Sequence, residues 1–181
     1  MTLDLLQRTG AAKLFEVEMK SLIYAMTGGN GSGKTTYALK ISKEKGAKFF
    51  SLDKTIKDFN QPIRSYEDYM LYFQQALDLM SSQAIQFLKE GDSVVFDFGG
   101  GISSREWLRQ LAKASGAEVE IYHLEVPLEE RRRRIHKRNL EMQKDVYFFH
   151  MDDNEFARHN KEDPSAPPAE SGINVIRVKN S

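Results

Sequence analysis

The sequence contains no cysteine, no long apolar run and no excess of either charge, and each absence removes a class of protein. Without cysteine there is neither a disulfide framework nor a thiolate metal site. No apolar stretch approaches the roughly 20 residues that a membrane-spanning helix needs. The 26 basic and 26 acidic residues cancel, so the surface as a whole does not favour nucleic acid or an anionic membrane, although a local basic patch is compatible with this balance.

What remains is the composition of a globular protein. The 181 residues are 40% hydrophobic and 29% charged, which suits one domain with its own core. The N-terminus lacks the basic and apolar segments of a signal peptide, so a cytoplasmic location is expected. Residues 1–18 fit the later pattern poorly. We predict an appendage, or a stretch upstream of a start at Met19, over 1–18, and a compact domain over 19–181; packing of the early leucines as an extra helix stays open.

Short apolar runs alternate with segments of helical period along the chain. The predicted strands are Leu22 to Thr27, AKFFSLD ending at Asp53, DSVVFDFGGG, EVEIYHLEV and INVIRV. The predicted helices run from about Lys34 to Lys45, from Ser65 to Lys89, from a capping box at Ser103–Glu106 to Gly116, from Pro127 onward, and from Asp152–Glu155 onward. This alternation predicts an α/β fold with a parallel sheet covered on both faces.

The segment between the first strand and the first helix fits the pattern G-x-x-x-x-G-K-[ST]. Glycines there let backbone N–H groups surround phosphate oxygens, and the helix N-terminus adds its own donors. Lys34 is predicted to reach the β- and γ-phosphates, and the Thr35 hydroxyl to bind Mg²⁺. The predicted nucleotide-binding residues of this P-loop are Gly28, Gly29, Asn30, Gly31, Ser32, Gly33, Lys34, Thr35 and Thr36.

Two aspartates end predicted strands, where the carboxyl edge of a parallel sheet faces a ligand crevice. Asp97, which closes SVVFD, is the expected partner of the metal ion, usually through water. Asp53, which closes FFSLD, is predicted to face the γ-phosphate and to accept a proton from an acceptor hydroxyl. The alternatives are a strand-end turn for Asp97 and a helix N-cap for Asp53.

The segment PLEERRRRIHKRN places five arginines within eight residues. Arg131, Arg134 and Arg138 are spaced by three and four, so they are expected to share one helical face. Over bound phosphates this face would supply the charge stabilisation that phosphoryl transfer needs. A solvated charged helix, balanced by Glu129 and Glu130, is the alternative.

A second motif set indicates a different class. Residues 97–100 fit the D-x-x-G of GTPases, and residues 160–163 fit N-K-x-D, which would recognise guanine. However, N-K-x-D must end a buried strand, and Asn160 follows the polar, helix-like DDNEFARH. One clear strand lies between the two motifs, where a GTPase needs two. The sequence therefore disfavours a GTPase switch.

The combination of GGNGSGKTT, FFSLDKTIKDF, VVFDFGG and the run from SSREWLRQLAKASGAEVEIYHLEVP to RRRRIHKRN resembles small P-loop ATP-dependent kinases. That group includes zeta-toxin-like kinases, polynucleotide kinases and chloramphenicol phosphotransferase, and it is more distantly similar to adenylate, shikimate and gluconate kinases. The resemblance covers roughly Met19 to Val178. It implies a three-layer P-loop fold, a five-stranded sheet in the order 2-3-1-4-5 and an arginine-rich lid.

The resemblance also implies roles for individual residues. Asp53 matches an aspartate that acts as a base or orients the acceptor, and Asp97 matches the Walker B carboxylate. Arg134 and Arg138 match the lid pair, of which the first tends to lie against adenine and the second reaches phosphates. Arg105, aligned with a gap, is implied to hold an acceptor group.

We therefore expect a kinase that uses ATP and Mg²⁺ to phosphorylate a hydroxyl of a small-molecule or nucleotide-like acceptor. Residues 54–90 occupy the place where such kinases build the acceptor site, although their tyrosines fit a core role better. One alternative is a polynucleotide 5′-hydroxyl kinase, against which the zero net charge weighs. The other is a nucleotide-binding switch without an acceptor. The sequence leaves the acceptor and the oligomeric state open.

Overall fold

The structure is a computed structural model, and it describes residues 20–63, 66–99, 101–141, 151–159 and 172–180. Its strands are β1 (Leu22–Thr27), β2 (Lys48–Phe50), β3 (Val94–Gly99), β4 (Glu118–Glu125) and β5 (Ile173–Lys179). Its helices are α1 (Lys34–Lys45), α2 (Leu52–Asp58), α3 (Tyr66–Lys89), α4 (Arg105–Ser115), α5 (Leu128–Glu141) and α6 (Asp153–His159). The predicted appendage and the N-K-x-D segment lie outside the described residues.

The strands form one parallel sheet in the order β2-β3-β1-β4-β5. This confirms the predicted α/β fold and its 2-3-1-4-5 order. β1 lies in the middle, with Ala25 opposite Phe96 of β3 and Ile121 of β4. The carboxyl end of β1 therefore delivers the glycine loop to the centre of the sheet edge, where ligands of open parallel sheets bind.

Side chains alternate between the two faces of the sheet, and each face is covered by helices. On one face, Ile23 and Phe96 pack with residues of α3 such as Met80 and of α4 such as Leu108. On the other, Tyr24 and Val95 pack with Ala38 and Ile41 of α1. Strands buried on both faces account for the nearly continuous apolar runs in the sequence.

The second strand is shorter than predicted. β2 ends at Phe50, and Asp53 lies in the first turn of α2 rather than at a strand end. Ser51 is the N-cap of this helix, and its hydroxyl oxygen accepts from the Lys54 N–H at 3.5 Å. The prediction that Asp53 ends a strand was therefore wrong, and so was the alternative that Asp53 itself is the cap.

The start of α4 also differs from its prediction. A 3₁₀ turn at Ile102–Ser104 precedes the helix, and Ser104 rather than Ser103 is the N-cap residue. The Glu106 carboxylate bonds Arg109 and Gln110 within the helix. The predicted capping box is thus replaced by a tighter turn, whereas the predicted end of the helix at Gly116 is confirmed.

None of the helices in the described ranges is both long and apolar enough to cross a membrane.

Candidate functional site

The glycine loop between β1 and α1 owes its shape to backbone conformations that other residues rarely adopt. Gly31 has φ +81°, and a Cβ placed there would lie 2.5 Å from the carbonyl oxygen of Arg131. Gly33, the N-cap of α1, has φ +88°. Glycine accepts these values without steric cost. The loop can therefore turn tightly over the start of α1 and touch the backbone of α5.

The Lys34 ammonium is held inside this loop. Its Nζ donates to the carbonyl oxygens of Gly28 at 3.0 Å and Gly29 at 3.2 Å. Burial lowers the pKa of Lys34, while the nearby Asp97 and Asp53 carboxylates act in the opposite direction. A partly desolvated cation of this kind interacts strongly with an incoming anion.

Thr35 and Asp97 meet across the gap between α1 and β3. The Thr35 hydroxyl donates to Oδ2 of Asp97 at 3.1 Å, and Asp97 is 8% exposed. Burial raises the pKa of Asp97, whereas hydrogen bonds from the Ser51 hydroxyl, the Thr35 hydroxyl and the Leu52 N–H counteract that rise. Asp97 thus bonds both the P-loop helix and the start of α2.

The chemistry of this pair fits the predicted magnesium ion. A hydroxyl and a carboxylate are hard oxygen donors, and Mg²⁺ commonly binds one or two such groups together with water and substrate phosphates. Thr35 and Asp97 are adjacent and line the same cavity as Lys34. These two residues would hold the ion.

The predicted base, Asp53, reaches the same place from α2. Its side chain is exposed and lines the cavity beside Leu52. The Asp53 carboxylate is close enough to raise the pKa of both Lys34 and Asp97. Asp53 lies in the first turn of α2 rather than at the end of a strand, as stated above. Because α2 begins directly after β2, Asp53 still lines the cavity.

Helix α5 carries the predicted lid arginines. Nε of Arg134 donates to Oε1 of Glu130 at 2.7 Å, and Nη2 donates to the carbonyl oxygen of Asn180 at 3.4 Å. Hydrogen bonds from Arg133 and Arg134 lower the pKa of Glu130 to about 2. Arg134 and Arg138 both line the cavity. The two arginines therefore border the same cavity as Lys34, and their roles toward a nucleotide stay predictions.

Arg131 differs from these two arginines. It is 2% exposed, and its Nε donates to the carbonyl oxygen of Val126 at 3.1 Å. Arg131 is therefore buried near the start of α5, whereas Arg134 and Arg138 line the cavity.

These groups surround a cavity of about 680 Å³. Its size falls within the range usual for small-molecule sites. Gly28, Gly29 and Ser32, which were predicted to bind the nucleotide, lie in the loop but outside this lining. The lining residues are Asn30, Gly31, Gly33, Lys34, Thr35, Thr36, Leu52, Asp53, Asp97, Phe98, Arg134, Ile135, Arg138 and Asn180.

Arg105, the implied acceptor residue, lies elsewhere. It is 1% exposed at the start of α4, and it is absent from the cavity lining as the described residues define it. Burial lowers the pKa of Arg105, and the charge of Arg109 acts in the same direction. Its role toward an acceptor stays a prediction, which this buried position does not favour.

Sequence reasoning missed three residues that shape the site. Asn180 and Phe98 line the cavity, and Ser51 donates to Asp97. Asn180 directly follows β5, so the rule that parallel strands end at the ligand crevice could have pointed to it. Ser51 and Phe98 carry no comparable signal, because a serine before a helix and a phenylalanine after an aspartate are common.

A parallel 2-3-1-4-5 sheet with a glycine loop opening α1 defines a P-loop domain of the kinase-like type. The profile of the family described as AAA domain matches residues 23–153. Because this is well over half of the chain, the protein belongs to that AAA domain family. No curated protein sequence matches the chain significantly.

Several solved structures share the fold. A provisionally named kinase from Chloroflexus aurantiacus superposes with a TM-score of 0.72 at 16% identity, covering 89% of each chain. An unliganded sugar kinase from a Janibacter species has a TM-score of 0.55 at 18% identity, covering 88% of this chain and 85% of its own. Kti12 from Chaetomium thermophilum, solved with ADP-AlF3, has a TM-score of 0.58 at 18% identity, covering 86% and 88%. At these identities the likeness shows the fold.

Proposed function

We propose that the protein is an ATP-dependent kinase that phosphorylates a hydroxyl of a small-molecule or nucleotide-like acceptor. The observation that carries this proposal is the meeting of Lys34, the Thr35–Asp97 pair and Asp53 around one cavity with Arg134. A nucleotide-binding switch needs Lys34 and the Thr35–Asp97 pair, but it needs no carboxylate such as Asp53 at the acceptor side. The fold shared with a sugar kinase and with the ADP-bound Kti12 supports the same assignment.

The phosphate chain would bind between the glycine loop and α5. Loop N–H groups and the N-terminus of α1 favour anions. Lys34, Arg134 and Arg138 would offset the negative charge that spreads over the transferred group. Thr35 and Asp97 would hold Mg²⁺, which would supply positive charge to offset part of the phosphate charge. Since Lys34 and Arg134 are already held by hydrogen bonds before a substrate binds, these two cations need little reorganisation during the reaction.

The transfer needs no reactant besides ATP and the acceptor hydroxyl. The acceptor oxygen forms a bond to the γ-phosphorus while the bond from that phosphorus to the β,γ-bridging oxygen breaks. The bridging oxygen keeps the electron pair and leaves as part of ADP. The hydroxyl proton passes to the Asp53 carboxylate, which is exposed at the cavity and can later release it to water.

A phosphoryl-transfer screen tests the proposal and identifies the acceptor. Labelled ATP or GTP is offered with metabolites, nucleosides and oligonucleotides, and transfer from ATP to a hydroxyl is expected. A preference for GTP, or hydrolysis that no acceptor accelerates, would contradict the proposal.

Asp53→Asn then tests the base on the acceptor so identified. Since a general base acts mainly in the transition state, kcat should fall about 10²–10⁴-fold while Mg·ATP affinity stays near the parental value. Asp58→Asn is the matched control, because Asp58 is exposed on the same short helix and lies outside the cavity lining. If Asp53→Asn kept the parental kcat, or if the control lost as much, Asp53 would not be the general base.

A further inference from the structure

Asn180, directly after β5, contacts the glycine loop through its side chain. Its Nδ2 donates to the carbonyl oxygen of Ser32 at 2.8 Å. Ser32 is fully buried, and Asn180 lines the cavity next to Gly33, where an added Cβ would lie 2.9 Å from Nδ2. A residue far away in the sequence thus holds one peptide group of the P-loop.

The backbone of Asn180 makes two further contacts. Its N–H donates to the carbonyl oxygen of Glu125, the last residue of β4, at 3.1 Å. Its carbonyl oxygen accepts from Nη2 of Arg134 at 3.4 Å. One residue therefore joins the glycine loop, the edge of the sheet and the arginine helix α5.

Fixing the Ser32 carbonyl has a consequence for the next residue. The peptide group between Ser32 and Gly33 is planar and trans, as the structure contains no cis bond among the residues it describes. The carbonyl and the following N–H point in opposite directions across such a plane. Holding the Ser32 oxygen therefore sets the direction of the Gly33 N–H, one of the donors predicted to meet phosphate.

The loop and α5 also meet independently of Asn180. The close approach of Gly31 to the Arg131 carbonyl places loop backbone against the first turn of α5. Arg134 extends from the next turn and is held by Glu130 on one side and Asn180 on the other. A small shift of Asn180 would therefore move both the loop and Arg134.

We propose that Asn180 is a positioning residue that keeps the P-loop and the Arg134 guanidinium in one geometry for binding a nucleotide's phosphate chain. Its amide orients the Ser32–Gly33 peptide, and its carbonyl orients Arg134. The inference rests on the proposed function in taking a phosphate chain as the ligand. It adds a residue outside the P-loop motif to the phosphate-binding machinery.

Asn180→Leu tests the amide contact, because leucine is close to asparagine in shape and lacks the donor. The loss of one hydrogen bond should weaken tripolyphosphate and Mg·ADP about three- to tenfold in calorimetry. The amide NMR resonance of Gly33 should also shift in the ligand-free protein, because the Ser32–Gly33 peptide loses the bond that orients it. Asn174→Leu is the matched control, since Asn174 is exposed on β5, the strand that Asn180 follows, and lies outside the cavity lining; it should bind like the parent.

Asn180→Asp separates the lost donor from a charge effect. It keeps the shape, removes the donor and adds a negative charge, so it should weaken both ligands more than Asn180→Leu does. Weakening in Asn180→Asp alone would mean that only the charge matters, and the inference would fail. Should Asn180→Leu not fold, Asn180→Ala replaces it in both measurements, because alanine also lacks the donor and adds no charge.

A double-mutant cycle with Arg134→Ala tests whether the two contacts are coupled, because Asn180→Leu keeps the backbone carbonyl that accepts from Arg134. If the amide contact holds that carbonyl in place for Arg134, the effect of Asn180→Leu on Mg·ADP affinity should shrink when Arg134 is already absent. Full additivity would overturn this coupling, and a parental Gly33 resonance in Asn180→Leu would overturn the rest. If the parent bound neither tripolyphosphate nor Mg·ADP, the proposed function would fall, and the Gly33 resonance would still decide whether Asn180 orients the loop.

Discussion

The two walls of the cavity are built differently. The wall proposed to bind phosphates, called the phosphate wall here, is formed by Lys34, Thr35 and Asp97, which already hold partners at 3.0–3.2 Å. The wall proposed to bind the acceptor, called the acceptor wall, is formed by Leu52, Asp53 and Phe98 and carries its charge on an exposed side chain. Preorganised charge suits a phosphate chain that is the same in every turnover. The open wall leaves room for variation in the acceptor.

Asp97 connects the two walls. On the phosphate side it accepts from the Thr35 hydroxyl, and on the acceptor side it accepts from Ser51 and from the Leu52 N–H. The start of α2, and therefore Asp53, is tied to the Thr35–Asp97 pair. Substitution of Asp97 should consequently alter both walls, whereas substitution of Lys34 or Gly31 should alter mainly the phosphate wall.

Among the substitutions in the phosphate wall, Lys34→Met should have the largest effect on activity. The variant keeps the stem and removes the cation inside the loop, so kcat/KM should fall about 10²–10³-fold. Lys43→Met, on the exposed face of α1, is the control and should behave like the parent. Steady-state kinetics with Mg·ATP measures both. Equal activities would show that Lys34 does not contact the phosphates.

Asp97→Asn should have a smaller effect, of a different kind. The amide oxygen can still accept hydrogen bonds, so the fold should survive, but the charge that attracts the metal is lost. The Mg²⁺ concentration for half-maximal rate should rise about 10–100-fold, as is typical for residues that hold a metal through one water. A Mg²⁺ titration of the rate measures this. An unchanged Mg²⁺ requirement would separate Asp97 from the metal.

Gly31→Ala measures how closely the phosphate wall is packed against α5. Alanine must adopt a positive φ and its Cβ would meet the Arg131 carbonyl, so the loss of unfolding free energy should be about 1–3 kcal/mol. Gly91→Ala is the control, because Gly91 has φ +93° with open space around it and reports the backbone cost alone. Urea denaturation compares the two. Equal losses would mean that the loop can move away from α5.

The smallest effect concerns pH and tests the connection between the walls. Burial, its largest cause, raises the pKa of folded Asp97 above that of the unfolded chain. The fold therefore binds the proton more tightly, and this contribution is present at low pH and lost as pH rises through the folded pKa. The Tm of Asp97→Asn minus that of the parent should thus increase with pH. If this Tm difference instead decreased with pH, burial would not be the dominant influence on the pKa of Asp97.

Local rules were enough for much of this molecule. The ends of α1 at Gly33 and Gly46 follow from glycines in the left-handed region, and apolar runs predicted β1, β3, β4 and β5. The P-loop was predictable because its motif records backbone conformations that only certain residues permit. The order of the strands came from the family resemblance, since periodicity does not state which strands are neighbours.

Tertiary contacts decided the rest. FFSLD has the pattern of one strand, yet β2 ends at Phe50 and Ser51 caps α2, whose start lies near Asp97 of the neighbouring strand. Spacing puts Arg131 and Arg134 on one helical face, yet Arg131 is buried whereas Arg134 lines the cavity.

The sequence by itself determined the phosphate loop, the helices and most of the strands, because backbone preference and side-chain period act over a few neighbouring residues. Only the tertiary structure decided which polar groups share the cavity. Asn180 reaches Ser32 across 148 positions of the chain, and no local pattern records a hydrogen bond of that kind. Its existence depends on where the sheet order places β5 relative to β1.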